Sequence, residues 1–490
     1  MRTARDLIAA EIEPGTWESW DAPVYDPEGL DPAYADALAA ARARTGLDEA
    51  VVTGAGRLRG RRVAIVASEF GFLGGSIGVA AADRLTASVE RATAAGLPLI
   101  ALTASGGTRL QEGTVAFLQM VKVTQAVAAH RAAGLPYLVY LRNPTTGGVF
   151  ASWGSLGHVT VAEPGALIGF LGPRVYQALR GEPFPPGVQT AENLHRNGLV
   201  DAVLPPAEVA AIADRALTVL CAPRRGLPRP DQPPSGPYAD EPARESVRRS
   251  RRDGRPGVRP LLRAGAGEVI PLNGGHGGLL LALARFGAAP AVVLGQDRRG
   301  EAPMDAGALR AARRGMRLAA ELNLPLVTVV DTAGAALTRQ AEEGGLAGEI
   351  ARCLTDLVTL PAPTLCVLLG QGTGGGALAL LPADRVVAAE HGWLAPLPPE
   401  GAAAVLRLGS AAELADRQGI RSRDLLAAGV VDRIVPERPD AADEPEAFLA
   451  RLAAVIEYEL AGLLDADPDA RRRDRAARYR RLGSADRGRS

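Results

Sequence analysis

The sequence predicts an α/β protein made of two tandem copies of one unit, and three observations carry that prediction. Short β-branched runs end in glycine clusters, and each is followed by a stretch with apolar residues at helical spacing. The block from Arg62 to Pro205 recurs, segment by segment, between Pro290 and Pro436. The chain has 490 residues, 47% of them apolar but only 4% aromatic. That is length enough for two domains, and a palette of small side chains suited to helices layered on sheets.

Residues 1–50 predict a polar, partly helical leader, proline-rich between Asp21 and Asp31 and alanine-rich from Pro32 to Arg44. Its start, Met1 to Asp6, has no apolar core of the kind a secretion signal needs, and no apolar run in the chain approaches the ~20 residues of a membrane helix. A cytoplasmic protein with no membrane partner is expected. From Arg62 the pattern sets in. Val63–Ala67 is a buried strand, and Gly78–Ala95 is a helix closed by Gly96 with Pro98 just beyond. Pro98–Thr103 is the next strand, Thr114–Ala133 the next helix and Pro136–Leu141 the third strand. This rhythm requires crossovers between parallel neighbours.

The second block answers the first. Gly96-Leu97-Pro98 matches Asn323-Leu324-Pro325, and Thr145-Thr146-Gly147-Gly148 matches Thr373-Gly374-Gly375-Gly376. Leu199–Pro205 matches Val430–Pro436. Between the blocks, 222–262 is rich in Pro, Arg and Gly and reads as a solvated linker. The domains expected are therefore 51–221 and 263–465, with a basic tail at 466–490 that reads as a frayed helix.

Charge and composition exclude several functions. Fifty-five basic residues balance fifty-five acidic ones, and aromatic stacking platforms are scarce, so no nucleic-acid partner is expected. Cys221, Cys353 and Cys366 form no C-x-x-C pair, and the five histidines have no ligand spacing, so no metal is expected. Gly370-x-Gly372-x-x-Gly375 matches the dinucleotide fingerprint but stands after at least two strands rather than opening a domain. Gly74-Gly75-Ser76-Ile77-Gly78 fits the nucleophile elbow, with His158 and His195 downstream. A spacer, Ser68–Leu73, separates it from its strand, whereas an elbow turns directly at the strand end.

The glycine pairs Gly147-Gly148 and Gly375-Gly376 follow strands and open helices. Amides uncovered by any side chain at a helix start attract an oxyanion. Such donors are worth ~10²–10³ in rate each when charge develops on a carbonyl. Close packing of a strand–helix corner also explains a glycine pair, but the recurrence of the turn in both repeats favours the chemical role.

Together these residues resemble the carboxyltransferase component of acetyl-CoA carboxylase, with β and α subunits joined in one chain. The β-like half carries Phe70–Ser76, Ala104–Gly113, Pro144–Gly148 and Ala162–Phe170; the α-like half carries Asp331–Ala335, Gly370–Ala377 and Pro398–Gly401. The resemblance implies the crotonase-like β-β-α superhelix in tandem. It implies transfer of a carboxyl group from carboxybiotin, supplied in trans by a biotin carrier protein, to an acyl-CoA through an enolate. Acetyl-CoA going to malonyl-CoA is the substrate expected. Residue by residue, it implies that Gly147 and Gly148 hold the enolate oxygen and that Gly375 and Gly376 hold the biotin carbonyl. Ser105, Gly106, Gly107, Gly74 and Gly75 fall to the CoA ester, and Gly334, Gly372 and Gly374 to biotin. Lys122 and Arg174 are candidates for CoA phosphates, though each serves equally as a surface charge.

No Met-Lys-Met biotin acceptor and no ATP loop is present, so separate carrier and biotin carboxylase proteins are implied, with a homodimer or larger homo-oligomer. The sequence departs from the family in lacking a four-cysteine zinc ribbon, in Ala333 and Gln371, and in Leu272–His276. A biotin-independent thioester decarboxylase and a non-catalytic scaffold are the alternatives.

Overall fold

The computed structural model describes residues 2–24, 26, 30–236, 238, 240–273, 278–298, 303–407 and 410–482, with the Arg174 side chain outside that set. The chain divides into two units, Met1–Thr218 and Val219–Ser490.

The first unit is built on one sheet. Its order is Glu18–Ser19, Val51–Leu58, Arg61–Ser68, Leu99–Ser105, Tyr137–Thr146, Val159–Ala162, Ala202–Val203, with Ile168–Gly169 also pairing Tyr137–Thr146. Val51–Leu58 and Arg61–Ser68 form a hairpin on the two-residue turn Arg59-Gly60, both at positive φ as a primed turn requires. From Arg61–Ser68 onward the pairs are parallel. The helices Val79–Ala94 and Gly113–Ala132 cross between strands. The first buries Ala82, Leu85, Val89 and Ala92 at helical spacing against Val66, Leu99 and Val139.

The leader belongs to this unit. Its helices Ala4–Glu11 and Pro32–Thr45 flank strand Glu18–Ser19, and Asp21 accepts from both the amide and the hydroxyl of Thr53 at 2.8 Å.

The second unit repeats the sheet: Val269–Leu272, Leu279–Phe286, Ala289–Gln296, Leu326–Thr332, Thr364–Thr373, Arg385–Ala389, Arg433–Val435, with Trp393–Ala395 also pairing Thr364–Thr373. The two central ladders share one register. Leu99 faces Tyr137 as Leu326 faces Thr364, and after a matching bulge Ser105 faces Thr145 as Thr332 faces Gly372. Thr146 therefore answers to Thr373 and Gly147 to Gly374. The sequence match had set this turn one residue out.

The stretch expected as a solvated linker is built into the second unit. It forms the helices Ala243–Ser250 and Val258–Gly265, and Arg255 is fully buried on Glu437 at 2.6 Å. The arginine run expected as a frayed tail is likewise anchored. Along the helix Pro468–Arg481, Arg471 and Arg475 bind Asp384 at 2.8 and 2.7 Å, and Arg478 binds Asp432 at 2.6 Å. These three residues lie on one helical face, and that face is what the helix buries.

Candidate active site

In the first unit the ends of two parallel strands meet. Strand Leu99–Ser105 runs into Gly106-Gly107-Thr108, and strand Tyr137–Thr146 runs into Gly147-Gly148. Gly147 has φ +62° and its N–H donates to Phe170 O at 2.9 Å. A methyl group on it would lie 3.2 Å from both Gly106 O and Gly107 Cα, so the two turns touch through bare backbone. Ser105 locks a third turn to them: its Oγ donates to Gly75 O at 2.5 Å and accepts the Gly107 N–H at 3.0 Å. Gly106 N–H donates to Gly74 O at 2.9 Å. The structure thus brings together Gly74, Gly75, Ser105, Gly106, Gly107, Gly147 and Gly148.

Most amides of this cluster are used internally, and those that are not define what it can do. Gly75, Gly106, Gly107 and Gly147 all donate within the protein. The Thr108 and Gly148 N–H groups have no acceptor among the described residues. The helix that Gly148 helps to open runs only from Gly147 to Phe150. Its dipole is small, and the directed amides matter more.

The second unit reproduces the arrangement. Gly334 N–H donates to Thr332 Oγ1 at 3.1 Å, as Gly107 does to Ser105, and Ala336 N–H donates to Met304 O at 2.9 Å, as Arg109 does to Ile77. Gly374 has φ +60° beside Gly147's +62°. Ala335 and Gly375 N–H, the counterparts of Thr108 and Gly148, again lack acceptors among the described residues. A methyl on Gly376 would sit 3.0 Å from Ala335 N, so the turns are in contact. Gly372 has a packing reason of its own, because a methyl there would meet Trp393 O at 2.8 Å.

A polar network with no counterpart in the first unit backs this second turn. Gln296 Nε2 donates to Gly376 O at 2.7 Å, and its Oε1 accepts the Asp331 N–H at 3.2 Å. Asp331 Oδ1 accepts the Gln371 N–H at 3.0 Å, and Gln371 Oε1 accepts from Arg251 Nε at 3.0 Å. Burial pushes the Asp331 carboxyl above the usual range, against Arg298 and the Gln371 N–H, which pull it down. Gly278, Gln296, Arg298, Met304, Asp331 and Gly334 line a cavity of about 300 Å³ here. Gly274–His276, part of the departing stretch, lie outside the described residues.

Other expected residues stand apart. Lys122, on helix Gly113–Ala132, pairs with Asp83 and is partly exposed. Arg174 opens the helix Pro173–Arg180, but its side chain lies outside the described residues. Ser76 Oγ donates to Leu73 O at 2.8 Å, and His158 Nδ1 accepts the Tyr137 N–H at 3.0 Å inside the sheet. Cys353 and Cys366 are buried, and burial pushes each thiol up to about 12. Among the described residues there is no metal-binding cluster of His, Cys, Asp and Glu, and no helix long and apolar enough to cross a membrane. Thr108 and Ala335 lie within the motifs that carry the resemblance but were not singled out, because sequence does not show which backbone amides lack an acceptor. Gln296, Arg298 and Arg251 went unmarked because strand pairing and helix packing bring them in from distant positions.

Two tandem α/β sheets in matching register define the class of fold. Residues 28–473 match the carboxyl transferase domain, and this protein is a member of that family. It is 60% identical over 495 residues, 98% of each chain, to a probable biotin-dependent acyl-coenzyme A carboxylase beta3 subunit of Mycobacterium tuberculosis. It is 39% identical to the acetyl-coenzyme A carboxylase carboxyl transferase subunits beta/alpha of Salinispora arenicola, over 98% of this chain and 90% of that one. Transcarboxylase 12S, at 22% identity, shares the fold with a TM-score of 0.74 over 94% of this chain and 90% of its own.

Proposed function

We propose that this protein transfers a carboxyl group from carboxybiotin, carried on a separate protein, to the α-carbon of an acyl-CoA, with acetyl-CoA as substrate and malonyl-CoA as product. One observation carries the proposal: the same pair of unused amides, Thr108/Gly148 and Ala335/Gly375, recurs in both units. A reaction with two carbonyl-bearing partners, each gaining negative charge on oxygen, needs two such pairs.

In the first unit, Thr108 and Gly148 N–H would hold the thioester oxygen as its α-carbon loses a proton. Ser105 keeps these turns in place before charge develops, so no reorganisation is required at that moment. In the second unit, Ala335 and Gly375 N–H would hold a ureido carbonyl. The cavity of about 300 Å³ and the bare Gly334 backbone fit a small polar ring. When bound, carboxybiotin supplies the carboxyl group and, once that group has left, a basic nitrogen. Gln371, where the α subunit has Glu, keeps its place in the network through Arg251.

The partners proposed are a biotin carrier protein and a biotin carboxylase. Val115, Phe117, Leu118 and Val121, exposed together on helix Gly113–Ala132, support self-association. The test is the reverse half-reaction, in which biocytin-dependent loss of carboxyl from malonyl-CoA is compared with that from methylmalonyl-CoA. Preference for malonyl-CoA is expected. Preference for methylmalonyl-CoA would overturn the substrate assignment.

A further inference from the structure

Arg109 follows Thr108, whose unused N–H is one of the pair given above to the thioester oxygen, and its side chain reaches back into the leader. It is 1% exposed and buried together with Glu49, itself 2% exposed. The fork engages both carboxylate oxygens of Glu49, with Nη1 donating to Oε2 at 2.8 Å. Nη1 also donates to Tyr34 Oη at 3.4 Å, and Tyr34 Oη donates to Glu112 Oε1 at 2.5 Å. Tyr34 and Glu49 both come from the leader.

The other end of this network holds the strip that Thr108 pairs with. Arg109 Nη2 donates to Ser76 O at 2.8 Å and Nε to Ser76 Oγ at 3.3 Å. Glu112 Oε2 accepts the Val79 N–H at 2.6 Å, and a methyl on Gly78 would collide with the same carboxylate. Ile77 lies between these anchors. Its N–H donates to Gly107 O at 2.9 Å, and its O accepts the Arg109 N–H at 3.0 Å. Those two bonds bracket Thr108, which forms a bridge with Ile77. The direction of the Thr108 N–H therefore follows the place of Ile77, which Arg109 and Glu112 fix.

The second unit serves as an internal control. Met304 and Ala335 form the same bridge, and Ala336 stands where the first unit has Arg109. The pairing forms there without a guanidinium, so it does not require one. Nor is stability a sufficient reason for a buried ion pair, since desolvation of the two charges offsets most of their attraction. What the first unit gains is a tie between leader and amide.

Resting on the acyl-CoA reading of the first unit, we infer that Arg109 is a positioning residue for the Thr108 amide, and that Tyr34 and Glu49 make the leader part of the acyl-CoA site. The guanidinium touches no reacting atom. It fixes the strip that aims the donor before charge develops on the thioester oxygen.

The experiment compares wild type with Arg109→Met/Glu49→Gln and with Tyr34→Phe. The double variant strands no charge, and glutamine still accepts the Ala50 N–H that Glu49 accepts at 2.6 Å, so it should melt close to wild type. Tyr34→Phe removes one hydroxyl and keeps the ion pair. In biocytin-dependent decarboxylation of malonyl-CoA, kcat should fall about tenfold in the double variant and about threefold in Tyr34→Phe. The Michaelis constants for malonyl-CoA and biocytin should stay within about twofold, because a misaimed oxyanion donor is felt chiefly in the transition state. A merely structural role would instead lower the melting temperature and leave kcat per folded molecule unchanged. Hydrogen exchange read by mass spectrometry needs no turnover: amides of 105–112 should exchange faster in both variants, and those of 331–337 should not. Unchanged kcat in both variants, or unchanged exchange over 105–112, overturns the assignment. Faster exchange there, with no biocytin-dependent turnover in wild type, would uphold the positioning of the turn and overturn the carboxyltransferase reading.

Discussion

Gly147→Ala should slow the reaction by about 100-fold or more while leaving the protein folded, and the structure allows its two effects to be separated. At φ +62° an L-residue costs ~1–2 kcal/mol of backbone strain. The new methyl would also lie 3.2 Å from Gly106 O and Gly107 Cα, tighter than ordinary contact, adding ~1–3 kcal/mol of overpacking. Relief comes from moving the two turns apart, which takes the Gly148 N–H away from its target. Loss of one preorganised donor lowers kcat by ~10²–10³. Gly60→Ala is the control: Gly60 sits at φ +82° in the Arg59-Gly60 hairpin, and a methyl there meets nothing within 4 Å. In thermal melts Gly60→Ala should lose only the ~1–2 kcal/mol of backbone strain, and Gly147→Ala that strain plus up to ~1–3 kcal/mol of overpacking. Only Gly147→Ala should lose biocytin-dependent decarboxylation of malonyl-CoA, by about 100-fold or more. If the two variants keep kcat within threefold of each other, the contact between the turns does not set the amide geometry.

Three further outcomes follow from the packing and charges. Gly375→Ala puts a methyl 2.8 Å from Ile350 Cδ1. It should slow the biocytin half-reaction by about tenfold, and Ile350→Val, which removes that atom, should restore the rate. Arg255→Met strands the buried Glu437 charge and should cost ~3–5 kcal/mol in denaturant unfolding, whereas adding Glu437→Gln should recover most of it. Burial raises the Glu11 carboxyl from 4.5 to about 7, with Arg2 and Arg59 opposing. The folded state therefore binds the proton more tightly than the unfolded one, and stability falls as pH rises from 4.5 towards 7. The loss is on the order of 1–2 kcal/mol after discounting for solvent screening. Glu11→Gln should melt higher than wild type at pH 8 and alike at pH 4.5.

The sequence disclosed the repeat because β-branched runs such as Val63–Ala67 and helices such as Val79–Ala94 bury unbroken apolar faces. It concealed strand Val51–Leu58, which contains Gly54 and Gly56. Methyl groups at those positions would lie 2.5 Å from Trp17 and Ile12 side chains, so leader packing and not strand propensity chose glycine. The glycine turns were visible, but three consecutive glycines at 374–376 left their register ambiguous until the strand ladder fixed it. Arg255, Arg471 and Arg475 looked solvated because their partners, Glu437 and Asp384, lie far away in sequence.

The most direct test of the central claim is malonyl-CoA turnover by the purified protein with and without biocytin. Turnover that requires biocytin, and that falls about 100-fold or more in Gly147→Ala and about tenfold in Gly375→Ala, is the predicted result. Thioester decarboxylation that proceeds equally without biocytin, or is unchanged by both substitutions, would contradict the account.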